Sequence, residues 1–242
     1  MPEATEGPPQ GRRAPGEKAA EGRSGGVRVA LIHALAHSVA PVNEAFERAW
    51  PQAVRMNLLD DSLSADLARD GGLDGRMTER FLALGEYAFR TGASAILFTC
   101  SAFGLCIDAV ARRWPRHPVL KPNEAMVGEA AALARRGRSR VALVATFAPT
   151  LASMPAEFPS GVTIVPVLAE GALAALDRGD GARHDALVAE AVAQSALDVD
   201  VVALAQFSLA RAARAVSRVV ACPVLTTPAS AVRELRARLA GG

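Results

Sequence analysis

The residues able to do chemistry in this chain fall at the ends of apolar runs. Thr99-Cys100-Ser101 closes the run Ala93–Thr99, and Gln206-Phe207-Ser208 follows Val199–Ala205. His33 ends Val27–His33, Thr146 ends Arg140–Thr146, and Thr226 ends Pro223–Thr226. A free thiol ionises near pH 8.5, and its thiolate is both a base and a nucleophile. Cys100 precedes a helical stretch, so the helix dipole is expected to favour the thiolate. Gln206 exchanges no proton near neutral pH, but its amide donates a hydrogen bond to a carboxylate or enolate oxygen. The other groups are small hydroxyls and one imidazole. Such a set suits a small carboxylate held by hydroxyls, backbone N–H groups and helix N-termini.

The elements that must position these groups read as alternating strands and helices. Val27–His33 reads as a buried strand, and further strands are predicted at Ala53–Leu59, Ala93–Thr99, Pro118–Leu120, Arg140–Thr146, Val162–Leu168, Val199–Ala205 and Pro223–Thr226. Between them the apolar period is helical. Val42, Ala45, Phe46 and Ala49 share one face after Pro41, and Met77, Phe81, Leu84 and Ala88 share another before Gly92. This alternation predicts an α/β fold with largely parallel sheets.

The chain also repeats itself. Arg28-Val29-Ala30-Leu31 recurs as Arg140-Val141-Ala142-Leu143, and Ala95–Leu120 is laid out like Val201–Leu225. The reading is two similar lobes, each a mainly parallel four-stranded sheet flanked by helices, related by a pseudo-twofold. Residues 27–125 form lobe 1, completed by 226–242, and residues 126–225 form lobe 2. Ligands bind outside the carboxyl ends of parallel strands, so two facing lobes would gather their turns around one cleft. Residues 1–26 hold six glycines, four prolines and eight charged residues, with no large aliphatic after Met1. They read as a disordered tail.

Composition excludes several classes of function. Of 27 basic residues only Lys18 and Lys121 are lysine, the arginines are scattered among acids, and the net charge is +2. Aromatics are 5%, too few for stacking platforms, so no nucleic-acid partner is expected. No apolar run is long enough to span a membrane. Three cysteines, Cys100, Cys106 and Cys222, fit a reducing cytoplasm better than a disulfide scaffold. His33 and His37 are the one close histidine pair, with no acidic ligand beside them, so no metal is expected. Glycine-rich phosphate loops are absent, and no cofactor is expected.

These residues resemble the aspartate/glutamate racemase superfamily, which includes hydantoin racemases, maleate isomerase and arylmalonate decarboxylase. The resemblance spans about Val27 to Leu239. It is carried by the Val27–His33 strand and its loop, Phe98-Thr99-Cys100-Ser101, Ala145-Thr146-Phe147-Ala148-Pro149-Thr150, and Val202-Ala203-Leu204-Ala205-Gln206. The resemblance implies that each lobe supplies one cysteine after a strand, and that two thiols flank the substrate's alpha carbon, one as base and one as acid. Cys100 matches the first. The position of the second falls at about Gln206, and no cysteine lies near it. Arylmalonate decarboxylase works with one thiol, though its cysteine resembles that of the second lobe.

The resemblance therefore implies a cofactor-independent isomerase, racemase-like, acting at the alpha carbon of a small carboxylate through an enediolate. Cys100 is the acid/base, and His33, Thr99, Ser101, Thr146, Gln206, Ser208 and Thr226 are candidates for holding the substrate. His33 could instead cap a loop, or orient Cys100. Two alternatives stay open: a one-thiol decarboxylase or other lyase, and a binding protein that kept the cleft without turnover. Family members are often dimers, which makes a homodimer possible. Cys106 and Cys222 read as core, Asp60-Asp61 and Glu124 as turn and helix-start acids, and Arg211, Arg214 and Arg218 as a solvated face.

Overall fold

A computed structural model of the chain describes residues 26–195 and 198–241. The predicted disordered tail lies outside the described residues up to position 25. The first sheet holds β1 (Arg28–His33), β2 (Val54–Leu59), β3 (Ala95–Phe98) and β4 (Val119–Leu120) in the order β2-β1-β3-β4. The second holds β5 (Arg140–Ala145), β6 (Thr163–Leu168), β7 (Val201–Leu204) and β8 (Val224–Thr226) in the order β6-β5-β7-β8. Every pairing is parallel. The central strands are buried on both faces, which is why β1, β3, β5 and β7 read as unbroken apolar runs.

Helices cover both faces of the first sheet. They are α1 (Val39–Ala49), α2 (Ser62–Asp70), α3 (Gly75–Arg90) and α4 (Gly104–Arg113). Side chains alternate along a strand, so Ala30, Ile32, Ile96 and Phe98 meet Met77, Phe81, Ile107 and Val110 of α3 and α4. Val29, Leu31, Ala95 and Leu97 face the other way, onto Val42 and Phe46 of α1.

The helix that follows β4 leaves its own sheet. In α5 (Glu124–Ala134), Met126, Val127, Ala130 and Ala134 pack on Val141, Leu143, Val201 and Ala203 of the second sheet. Next in the chain come α6 (Ala148–Ser153), α7 (Ala172–Asp177), α8 (Gly181–Ser195), α9 (Ala213–Val216) and α10 (Thr227–Ala240). Val188 and Val192 of α8 cover the opposite face, with Ala142, Val144, Val202 and Leu204. Ala231, Val232 and Leu235 of α10 return to the first sheet. Phe207, three residues after the end of β7, is also buried in that first-sheet cluster. Each sheet thus borrows part of its cover from the other half of the chain.

Candidate active site

The turn carrying Cys100 is anchored at both ends on one side chain. Phe98 ends β3 and Phe103 ends a 3-10 turn, Ser101–Phe103, that runs into α4. Both rings pack on Phe81 of α3, with centroids 5.3 Å and 5.0 Å away. Such aromatic pairs contribute about 0.5–1.5 kcal/mol each beyond the area they bury. Cys100 itself has extended backbone and is half-buried.

Its thiol departs from the expectation of an easily formed thiolate. Burial pushes the Cys100 pKa above its ordinary value of 9.0, although a hydrogen bond from the Ala102 backbone pulls the other way. The α-helix begins only at Gly104, and helix-end charge acts within the first turn. Burial outweighs it here.

Strand register sets Gln206 at the place in the second sheet that Cys100 holds in the first. Ile32 pairs with Phe98 as Val144 pairs with Leu204. The next bonds repeat: Thr99 N–H donates to Ile32 O at 3.0 Å, and Ala205 N–H to Val144 O at 2.9 Å. One residue further lie Cys100 and Gln206. By the same count Ala34 corresponds to Thr146. The two turns differ there, because Thr146 has a hydroxyl. Gln206 Oε1 accepts from Thr146 N at 2.7 Å and from Thr146 Oγ1 at 2.9 Å. Both bonds fall on the carbonyl oxygen, which leaves the Nε2 donors with no protein partner among the described residues.

His33 and Thr99, expected among the substrate contacts, both lie inside the first lobe. His33 is 0% exposed and Thr99 is 5% exposed. His33 Nδ1 lies 3.0 Å from Thr99 Oγ1, and Nε2 lies 3.0 Å from Asn57 Oδ1. Asn57 Oδ1 only accepts, so Nε2 carries the proton and Nδ1 accepts from the threonine hydroxyl. Burial lowers the His33 pKa, and the bond to Asn57 offsets this in part. The neutral imidazole is walled off, makes no bond to Cys100, and reaches it only through the backbone of Thr99. Both residues position the turn from behind.

The other candidates divide. Ser101 is exposed and Ser208 half-buried. Thr226 is buried and caps α10, its Oγ1 accepting from Ala229 N at 3.4 Å, which gives it a structural task. The loop after β1 touches the 3-10 turn Phe207–Ala212, and His37 Nε2 lies 3.3 Å from Asp177 Oδ1 of α7. Asp60 does more than end a turn: it accepts from Arg80 and Ser62, which ties β2 to α3. Arg211 is held by Asp185 at 2.8 Å rather than simply solvated.

A cavity of about 500 Å³ lies beside the Cys100 turn, and no sequence motif marks it. Ser101, Gly104, Lys121, Asn123, Glu124 and Glu157 are among its lining residues. Lys121 Nζ lies 2.7 Å from Asp108 Oδ1. Its rarity in the sequence was the one signal available. Among the described residues no group of three His, Cys, Asp or Glu side chains is placed to hold a metal, and no helix is long and apolar enough to cross a membrane.

No protein-family profile matches the sequence, and no curated protein matches it. Solved structures do share the fold. An allantoin racemase from Klebsiella pneumoniae superposes with a TM-score of 0.66 at 18% identity, covering 88% of this chain and 88% of its own. A glutamate racemase from Bacillus anthracis gives 0.64 at 11% identity, over 89% of this chain and 82% of its own. An aspartate racemase homologue from Pyrococcus horikoshii gives 0.64 at 14% identity, over 89% and 99%. The chain is built on the two-sheet fold of these proteins.

Proposed function

We propose that the protein is a cofactor-independent isomerase that moves a proton at the alpha carbon of a small carboxylate, with Cys100 as its one acid/base group. The observation that carries this reading is the register match of Cys100 with Gln206, whose carbonyl oxygen is fixed by Thr146. The glutamate, aspartate and allantoin racemases that share the fold support the class of reaction.

In this scheme the Cys100 thiolate takes the alpha proton. The electron pair left on carbon moves into the bond to the carboxylate carbon, giving an enediolate with added charge on oxygen. Gln206 Nε2 and the Ser101 and Ser208 hydroxyls donate to those oxygens. Donors fixed before the reaction stabilise such charge without reorganising. Thr146 acts through Gln206, and His33 and Thr99 act through the backbone of Cys100. The same thiol then returns a proton to carbon. Return to the same face exchanges the hydrogen; delivery from solvent to the other face inverts the centre.

The lone thiol also favours a second reading, a lyase. Loss of carbon dioxide from a substituted malonate leaves the same enediolate, and one thiol suffices to protonate it from one face. The two are separated by incubating the protein with amino acids, hydroxy acids and substituted malonates in heavy water. Alpha-deuteration with the carbon count unchanged supports the isomerase. Carbon dioxide release supports the lyase. Neither, with binding intact, contradicts both.

A further inference from the structure

The cavity beside Ser101, the residue after Cys100, has walls of opposite character. Ser101 and Gly104 form one side, at the start of α4, and Lys121, Asn123 and Glu124 form another, at the start of α5. Glu157 closes it from the segment after α6. Its volume of about 500 Å³ lies within the range of small-molecule sites.

Asn123 is the group in need of a partner. It is 3% exposed, it lines the cavity, and its side chain neither caps α5 nor makes another hydrogen bond among the described residues. Its amide atoms open onto the cavity, where a ligand would take the place of water. Glu124 is engaged, with Oε1 2.9 Å from Arg238 and Oε2 3.3 Å from the Lys121 backbone nitrogen. Glu157 has no ion pair among the described residues. Burial raises its pKa, and the charge of Lys121 draws it back.

A full charge is opposed by one wall or the other. An anion meets Glu157. A cation meets Lys121, itself paired with Asp108 at 2.7 Å, and the positive ends of two helices. A neutral group with an acceptor at one end and N–H donors at the other suits both. We propose that this cavity is a subsite for a carboxamide at the far end of the substrate, its carbonyl oxygen toward Lys121 and Asn123, its N–H toward Glu157. The assignment deepens the proton-transfer reading in one respect, by taking Cys100 as the reacting end.

The test is calorimetric titration of the full chain at neutral pH with three carboxylates of similar length: succinamate, succinate and 4-aminobutanoate. Succinamate should bind at least about fivefold more tightly than either charged analogue, the size of one buried polar mismatch. Glu157→Gln should bring succinate up toward succinamate. Lys121→Met should weaken succinamate and relieve 4-aminobutanoate. The ranking should persist in Cys100→Ala, which separates this subsite from the acid/base assignment. A preference below fivefold, a reversed order, binding of none of the three, or an unchanged ranking in Glu157→Gln would overturn it.

Discussion

Thr146 holds Gln206 twice, through its backbone N–H and its hydroxyl, and both bonds end on the same carbonyl oxygen. The amide is thereby oriented before any substrate arrives. A carboxylate or thiolate at position 206 would be a base; a fixed amide is a donor. If Gln206 serves the enediolate oxygens, loosening it should slow chemistry more than it weakens substrate binding. Thr146→Val keeps the backbone bond and the shape, and removes one hydrogen bond of about 1 kcal/mol. Its kcat should fall several-fold with KM changed less. An unaltered kcat would remove Gln206 from the enediolate oxygens.

Gln206→Cys tests the other half of that relationship. It places a thiol at the register position matching Cys100. Racemisation of free enantiomers should then increase over the native chain. No increase in a folded variant would mean that the two turns do not oppose each other across the substrate.

The raised pKa of the half-buried Cys100 thiol predicts an alkaline profile. Its pKa lies above 9.0, so the thiolate is the minor form near neutrality. Proton abstraction, followed as kcat/KM, should rise close to tenfold per pH unit from about 7 toward 9. Alkylation by iodoacetamide should follow the same curve. A rate that is flat across this interval would point to a different base.

His33 predicts how stability responds to acid. Its folded pKa lies below the ordinary 6.5 because the neutral ring is buried, so the unfolded chain binds the proton more readily. Stability from this residue is therefore complete above about pH 6.5. It is lost as pH falls through the folded value. Chemical unfolding of native protein and His33→Gln between pH 5 and 8 should show a steeper acid slope in the native chain. Equal slopes would contradict the buried neutral assignment.

Much of this arrangement was legible in the sequence. The strands stand close to where they are predicted, and the central ones read as apolar runs because a doubly covered parallel strand demands them, whereas the edge strands β2 and β6 are partly exposed. The repeat of Arg28-Val29-Ala30-Leu31 at Arg140, with Ala95–Leu120 laid out like Val201–Leu225, predicts two similar four-stranded sheets, and the two sheets share one strand order. The inward roles of His33 and Thr99 were not legible. Polar residues at strand ends look solvent-facing, and only Asn57 on the neighbouring β2 reveals that the imidazole is satisfied inside. The thiol was misjudged because helix proximity is visible in a sequence while burial is not. Asn123 and Glu157 went unnoticed for a related reason. Their cavity forms only when α5 crosses to the second sheet, and no local pattern announces that crossing.

The central claim is that Cys100 alone moves the proton. The most direct measurement is deuterium uptake at the substrate's alpha carbon in heavy water, followed by NMR alongside optical rotation. Native protein should exchange the alpha hydrogen faster than it interconverts enantiomers, since one thiol serves one face. Cys100→Ala should lower exchange by about 10²–10⁴-fold, the usual contribution of a general acid/base group. Cys100→Ser should recover little. Exchange and racemisation at equal rates in native protein, or full exchange in Cys100→Ala, would contradict the one-thiol account.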